Sequence, residues 1–135
     1  MTPSILKNTT QLTGRALMSA IFITAGIGKI SAYAGTQAYM EGAGIPGALL
    51  PLVILLELGA GVAILLGWRT RIAALLLAGF SIVSALLFHA DFSDQMQSIL
   101  FMKNLAMAGG FLLLAAGETH AWSIDAKRHT SRQAR

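Results

Sequence analysis

Glu57 is the residue whose type and position are most unusual chemically in this sequence. It lies near the middle of an apolar run from residue 48 to residue 68. An ionised carboxylate inside a bilayer costs roughly 3 kcal/mol or more unless it is protonated, paired or hydrated, so such a residue faces the interior of a helix bundle. Glu57 is therefore a candidate for ligand binding or proton handling. A purely structural ion pair is the alternative.

The basic residues within and beside the other apolar runs are the candidate partners of Glu57. Helical phase places Lys29 with Arg15 on a partly polar face of the first predicted helix, and it places Glu57 and Lys103 each on one face of its own helix, so that these faces can meet. Depth along the helices, at about 1.5 Å per residue, makes Lys103 the best-placed cation, and Lys29 ranks second as a partner. We therefore predict Lys103 as the main partner. The candidate ligand-binding or proton-handling residues are Glu57, Lys103, Lys29, His89, Arg15 and Asn104.

Each of these candidates also has a simpler interpretation. Lys29 can snorkel toward the membrane surface, and Lys103 with Asn104 can do the same at the start of a helix. His89, next to Asp91, is typical of an interfacial histidine. It has no second histidine one helical turn away, and the sequence contains no cysteine, so neither a metal site nor haem is predicted.

Apolar helices must position these side chains. The 135 residues are 55% hydrophobic and 12% charged, whereas a soluble domain has about 25% charged residues. A membrane-spanning helix needs about 20 mostly apolar residues. The sequence predicts an all-α, polytopic bundle of four transmembrane helices in a single domain, residues 1–124, followed by a basic, solvated tail, residues 125–135. The predicted spans are 10–30, 48–68, 72–90 and 99–117.

The distribution of positive charge predicts the orientation of these spans. Lys and Arg accumulate on the cytoplasmic side of membrane proteins, and four spans with both termini inside place eight of the ten basic residues there. The charges flank apolar runs and form no basic groove, so no nucleic acid partner is expected. Topology or contact with lipid headgroups is the predicted role of Arg69, Arg71, Lys127 and Arg128.

Two further features leave alternatives open. The run after Arg15, followed by the tripeptide 32–34, has the pattern of a cleaved signal peptide. Because Lys29 interrupts that pattern and another apolar run follows, we expect the segment to be retained. Small residues recur at four-residue spacing, for example at Ala20, Thr24 and Gly28. This spacing favours packing within the chain and is also compatible with a homo-oligomer.

An ordered set of short motifs resembles the DoxX family of small bacterial inner-membrane proteins. The resemblance implies a four-helix integral membrane protein, and some relatives are associated with quinone-linked sulfur oxidation or oxidative-stress complexes. The polar residues of the family correspond here to Arg15, Lys29, Glu57, Arg71, His89 and Lys103. The motifs are Gly14-Arg15, Gly26-x-Gly28-Lys29, Glu57-Leu-Gly-Ala-Gly61, Gly67-Trp-Arg-Thr-Arg71, Phe88-His89, Lys103-Asn104-Leu-Ala and Gly109-Gly110.

These observations lead to one main functional hypothesis and two alternatives. The main hypothesis is a multi-pass protein of the bacterial inner membrane that serves as a non-catalytic or quinone-interacting subunit of a membrane redox or oxidative-stress system. Quinone is then the expected cofactor, and the lipid bilayer and a redox subunit are the expected partners. The chain is not expected to be an enzyme on its own. The alternatives are a protein that binds or transports a small molecule and a structural assembly factor.

Overall fold

The structure is a computed structural model that describes residues 2–135. Over this range it contains α-helices and one short 3-10 helix, Gly47–Leu49, and no strand. The predicted all-helical class is confirmed. The α-helices are α1 (Pro3–Ser31), α2 (Tyr33–Gly42), α3 (Leu50–Leu66), α4 (Thr70–Phe88), α5 (Gln95–Ala116) and α6 (Ile124–Gln133).

Local sequence explains where several of these helices begin and end. The Thr2 side chain accepts a hydrogen bond from the Ile5 amide at the start of α1, and Asp94 does the same for the Met96 amide at the start of α5. Pro51 lies in the first turn of α3. Backbone amides in the first turn have no hydrogen-bond partner within the helix, so the lack of an amide proton in proline costs no helical hydrogen bond there. Helix α3 ends at Gly67, whose φ of 68° is left-handed backbone that glycine adopts without strain.

Three helical segments are long and apolar enough to cross a membrane: Gly47–Leu66, α4 and α5. They correspond to the predicted spans 48–68, 72–90 and 99–117. The predicted span 10–30 lies inside α1. This helix is long and apolar enough to cross a membrane only if α2 is counted with it, and the two helices meet at an angle of 102°. The chain thus has three candidate spans, or four if this bent pair counts as one broken span.

The four long helices pack in the order in which they follow one another in the chain. Helix α1 packs against α3, α3 against α4, and α4 against α5. The centre of the bundle is aromatic, because Phe22 of α1 makes edge-to-face contacts with Phe111 of α5 and Phe80 of α4, at ring-centroid distances of 5.4 Å and 6.3 Å. Buried aliphatic residues, among them Ile64 and Leu77, surround these rings.

Glycines allow the close approach of α1 and α3. A Cβ atom at Gly26 would lie 2.6 Å from the Leu58 Cγ, and one at Gly61 would lie 3.0 Å from the Ile23 Cγ1. In a membrane, small residues at the contact bring helices together, since lipid provides no hydrophobic force between them. The contact does not use the α1 stripe identified by four-residue spacing, because Ala20, Thr24 and Gly28 are all exposed.

We predict that Gly26→Val destabilises the bundle, whereas Gly28→Val does not. A valine at residue 26 would overlap Leu58, and overpacking of this kind costs about 1–3 kcal/mol. Nothing lies within 4 Å of a Cβ at Gly28. Both variants make the same change in helix propensity, so the difference between their thermal unfolding midpoints in detergent measures the packing cost. Equal midpoints would contradict the close α1–α3 contact.

Candidate functional site

An ion pair between Lys29 and Glu57 joins α1 to α3 inside the apolar part of the bundle. The Lys29 Nζ lies 2.9 Å from the Glu57 Oε1 and 3.1 Å from the Oε2. The Glu57 side chain is 2% exposed, and that of Lys29 is 27% exposed. The carboxylate is thus sequestered from its surroundings, while the ammonium remains partly accessible.

The register of α1 against α3 brings these two charges together. Gly26 lies against Leu58, and Ile23 lies against Gly61, so residue numbers rise along one helix as they fall along the other. This antiparallel register places Lys29, in the last turn of α1, opposite Glu57 in the middle of α3. An ammonium carries three N–H donors. The two carboxylate oxygens accept from at most two of them, which leaves one for another acceptor.

The prediction that Lys103 is the main partner of Glu57 is wrong. Lys103 is exposed on α5, and α5 packs against α4 rather than along α3. Phase and depth rank the cations correctly only if the helices that carry them are neighbours, and adjacency is a property of the tertiary structure. The second-ranked residue, Lys29, is the partner in the structure.

Asn104 and His89 both lie in contacts between α4 and α5 or the segment that joins them. The Asn104 Nδ2 donates to the Ser81 carbonyl oxygen at 3.2 Å. The His89 Nδ1 lies 2.8 Å from the Gln97 Oε1. The predicted cluster of these residues with Glu57 is therefore not formed by direct contacts. Within residues 2–135, no group of three or more His, Asp and Glu side chains is placed to hold a metal ion.

Arg15 lies at the opposite end of the α1–α3 contact, about 21 Å along α1 from Lys29 by helical rise. It is 2% exposed, and its Nη2 donates to the Trp122 carbonyl oxygen. Its guanidinium occupies the space that a Cβ would need at Gly67, so only glycine fits there. In the described chain the Arg15 Nε and Nη1 have no hydrogen-bond partner. Arg15 therefore links α1 to the segment that precedes α6.

Asp125 was missed by the sequence analysis, although it holds the same end of the molecule together. Its Oδ1 accepts from the Arg69 amide at 2.8 Å, and its Oδ2 accepts from the Thr70 amide at 2.9 Å. The Asp125 amide in turn donates to the Gly67 carbonyl oxygen at 2.9 Å. The carboxylate thus caps α4 from a distant part of the chain, a pairing that no local spacing reveals.

The predicted tail begins with an anchored residue, Asp125, while residues 127–135 are exposed. Residues 124–133 form helix α6, which begins with a Ser123 cap, and Asp125 anchors this helix to the turn between α3 and α4. Burial by itself would raise the pKa of the Asp125 carboxyl, but hydrogen bonds from Thr70 and from the Arg69 amide outweigh it. The pKa of Asp125 is therefore lower than its ordinary value.

We predict that removal of either member of the ion pair destabilises the protein more than removal of both. Glu57→Leu leaves the Lys29 charge without a partner, and breaking a buried pair costs about 3–5 kcal/mol, less where one side chain reaches solvent. The double variant Lys29→Met/Glu57→Leu leaves no charge and regains most of the loss. Thermal unfolding of the four proteins of this cycle in detergent measures the coupling. Additive losses would contradict it.

The Asp125 cap predicts a pH-dependent loss of stability. Asp125→Ala should cost about 1 kcal/mol at neutral pH, as loss of a helix cap does. A carboxyl whose pKa is lowered in the folded state stabilises the protein at pH values above the pKa that it has in the unfolded chain. This stabilisation is lost as the pH falls through the pKa of the folded state. The difference from the unmodified chain should therefore shrink between about pH 7 and about pH 3 in thermal unfolding experiments.

Glu118→Ala is the matched control for this experiment. Glu118 is an acid at the same end, with a side chain that is 81% exposed and paired with Lys7. An exposed pair contributes about 1 kcal/mol or less. A stability difference for Asp125→Ala that is the same at both pH values would show that the carboxylate charge does not contribute to the cap.

Comparisons with known proteins agree with this architecture. The sequence profile of the DoxX family matches residues 10–90, which include both members of the ion pair. The chain is 58% identical over 114 residues to the inner membrane protein YqjF of Escherichia coli, covering 84% of this chain and 88% of that protein. It is 34% identical over 121 residues to the inner membrane protein YphA of the same organism, covering 84% and 86%.

No solved structure matches the chain significantly. The family match extends over more than half of the chain, and both relatives align with most of it. This protein, with its apolar helices and its Lys29–Glu57 ion pair, therefore belongs to the DoxX family.

Proposed function

We propose that this protein is a multi-pass protein of the inner membrane that acts as a non-catalytic, quinone-interacting subunit of a membrane redox or oxidative-stress system. The observation that carries the proposal is the Lys29–Glu57 pair, in which a buried carboxylate holds a partly exposed ammonium. An ionisable group within a membrane span is a candidate functional site by default, because its placement in hydrocarbon is energetically costly.

The donor set of the pair fits a quinone carbonyl. Glu57 fixes the Lys29 ammonium, and the remaining N–H of Lys29 is available to donate to an acceptor that approaches its 27% exposed side. A quinone ring is apolar enough to reach this side from the hydrocarbon, and its carbonyl oxygen accepts hydrogen bonds. A bound quinone supplies two-electron redox chemistry. The chain itself orients the carbonyl and keeps a carboxylate beside it that can hold a proton.

The arrangement of the chain ends supports four spans with both termini on one side of the membrane. Lys7, near the start of α1, pairs with Glu118 after α5 at 3.1 Å. Asp125 of α6 contacts the turn between α3 and α4. The two ends of the chain therefore lie at the same end of the bundle, which requires an even number of crossings. We place this end in the cytoplasm because most of the basic residues lie there.

A structural assembly role is the second candidate, because Glu57 is almost completely buried. A buried ion pair can specify register without any ligand. In that case substitution of the pair changes stability and leaves no difference in bound small molecules.

We predict that quinone co-purifies with the full chain and depends on the ion pair. The protein is extracted gently from its own membrane, and bound quinone is quantified by solvent extraction and native mass spectrometry. Glu57→Gln and Lys29→Gln should each lower the quinone per protein about tenfold, as expected for loss of a hydrogen bond that involves a charged group.

Lys103→Gln is the matched control. It removes a lysine from α5, which is exposed and lies outside the pair, so the bound quinone should change by less than about twofold. Equal quinone in all four proteins, or quinone no higher than in bulk membrane lipid, would contradict the proposal. A fall in thermal stability of the Glu57 and Lys29 variants without any change in quinone would favour the assembly role.

A further inference from the structure

An open cavity of about 670 Å³ lies at the end of the bundle that holds both chain ends. Its walls come from the start of α4, the end of α5 and one face of α6. Ile72, Leu114 and Ala115 make part of the lining apolar. Four arginines line the same space, and we call it the arginine pocket after them: Arg69, Arg71, Arg128 and Arg132.

The arginines of the pocket form no salt bridge within residues 2–135. The ion pairs in this range are Lys7–Glu118 and Lys29–Glu57, and neither contains a pocket arginine. Two acids also line the cavity, but both are engaged elsewhere. Glu118 pairs with Lys7, and the Asp125 carboxylate accepts the amides at the start of α4. The four arginines outnumber these two acids, so an anion entering the cavity meets an excess of positive charge, although the Asp125 carboxylate also interacts with Arg128.

The fold holds part of this donor set in position before any ligand arrives. The Arg71 Nε donates to the Ala115 carbonyl oxygen at 3.0 Å, which leaves both terminal nitrogens of that guanidinium free to donate. Arg69 stacks over the Trp68 ring at 5.5 Å and has a φ of 45°, which is left-handed backbone unusual for a residue with a side chain. Strain of this kind is retained where surrounding contacts impose it, here the Asp125 cap.

His120 also contributes to the wall of this cavity. The Nδ1 of His120, which lines the pocket, is buried and has no hydrogen-bond partner in residues 2–135. Because this atom is inaccessible to solvent, it does not face the open cavity. Burial lowers the pKa of His120, and the nearby charges of Arg15 and Lys7 lower it further.

We propose that the arginine pocket binds a phosphate group. Arginine forks match phosphate oxygens with two parallel hydrogen bonds, and four of them around one cavity are typical of phosphate recognition. The cavity opens where the span α4 begins, at the level of lipid headgroups, and its apolar lining suits the start of an acyl chain. The phosphate therefore comes from an anionic phospholipid or from a soluble phosphate compound. This site is separate from the Lys29–Glu57 pair and independent of the proposed quinone role.

Two double variants of α6 test the proposal. Arg128→Gln/Arg132→Gln removes two positive charges from the pocket, and Lys127→Gln/Arg135→Gln removes two from the same end of the molecule without touching its lining. All four side chains are exposed, so the fold should be unaffected, which circular dichroism checks. The full chain in neutral detergent is titrated with phosphatidylglycerol in native mass spectrometry, with phosphatidylcholine as the reference lipid. A second titration uses inorganic phosphate in calorimetry.

The two titrations distinguish the source of the phosphate. We expect Arg128→Gln/Arg132→Gln to weaken binding of at least one anionic probe about tenfold or more, while the control pair stays within about twofold. Binding of phosphatidylglycerol alone identifies a lipid site, and binding of inorganic phosphate identifies a soluble ligand. If both double variants weaken probe binding equally, the binding depends on the total positive charge of α6 rather than on the pocket, and the proposal is overturned. Absence of binding of either probe to the unmodified chain would also overturn it.

Discussion

A carboxylate in the hydrocarbon core of a bilayer needs a partner, and in this protein the need is met by a single lysine on a neighbouring helix. Glu57 is nearly inaccessible, so its charge is compensated by Lys29 or not at all. The contact forms only if α1 and α3 lie close together in one register. Gly26 and Gly61 provide the close approach, and the aromatic centre around Phe22 follows from the same register. Helix α4 then packs against α3, and α5 packs against α4.

The opposite end of the bundle is organised differently. There, hydrogen bonds to backbone groups join distant parts of the chain, and the Lys7–Glu118 ion pair beside them is exposed. Arg15 donates to the Trp122 carbonyl oxygen, Asp125 accepts from the amides at the start of α4, and Gly67 leaves space for the Arg15 guanidinium. These contacts bring the first helix, the α3–α4 turn and the C-terminal helix together. The arginine pocket is a consequence, because the same contacts that anchor α6 place its arginines opposite Arg69 and Arg71.

The two ends therefore offer different chemistry. The Lys29–Glu57 pair is a single charged site among apolar helices and suits an uncharged acceptor that dissolves in lipid. The arginine pocket has an excess of positive charge and a wide opening, and it suits an anion at the membrane surface. Membership of the DoxX family establishes the kind of protein, since the family profile covers residues 10–90. The chemistry of each end depends on side chains and their surroundings.

The sequence by itself determined the helical class, the three strongly apolar segments and the importance of Glu57. These features depend on hydropathy, length and the cost of a charge in an apolar run, which are all local. It ranked Lys103 above Lys29, and it did not indicate the contacts of Asp125 with the α3–α4 turn. Only the tertiary structure decided that α1, not α5, lies beside α3, and that Asp125 caps α4. Both outcomes depend on which helices are neighbours, and residue spacing along one helix carries no information about that choice.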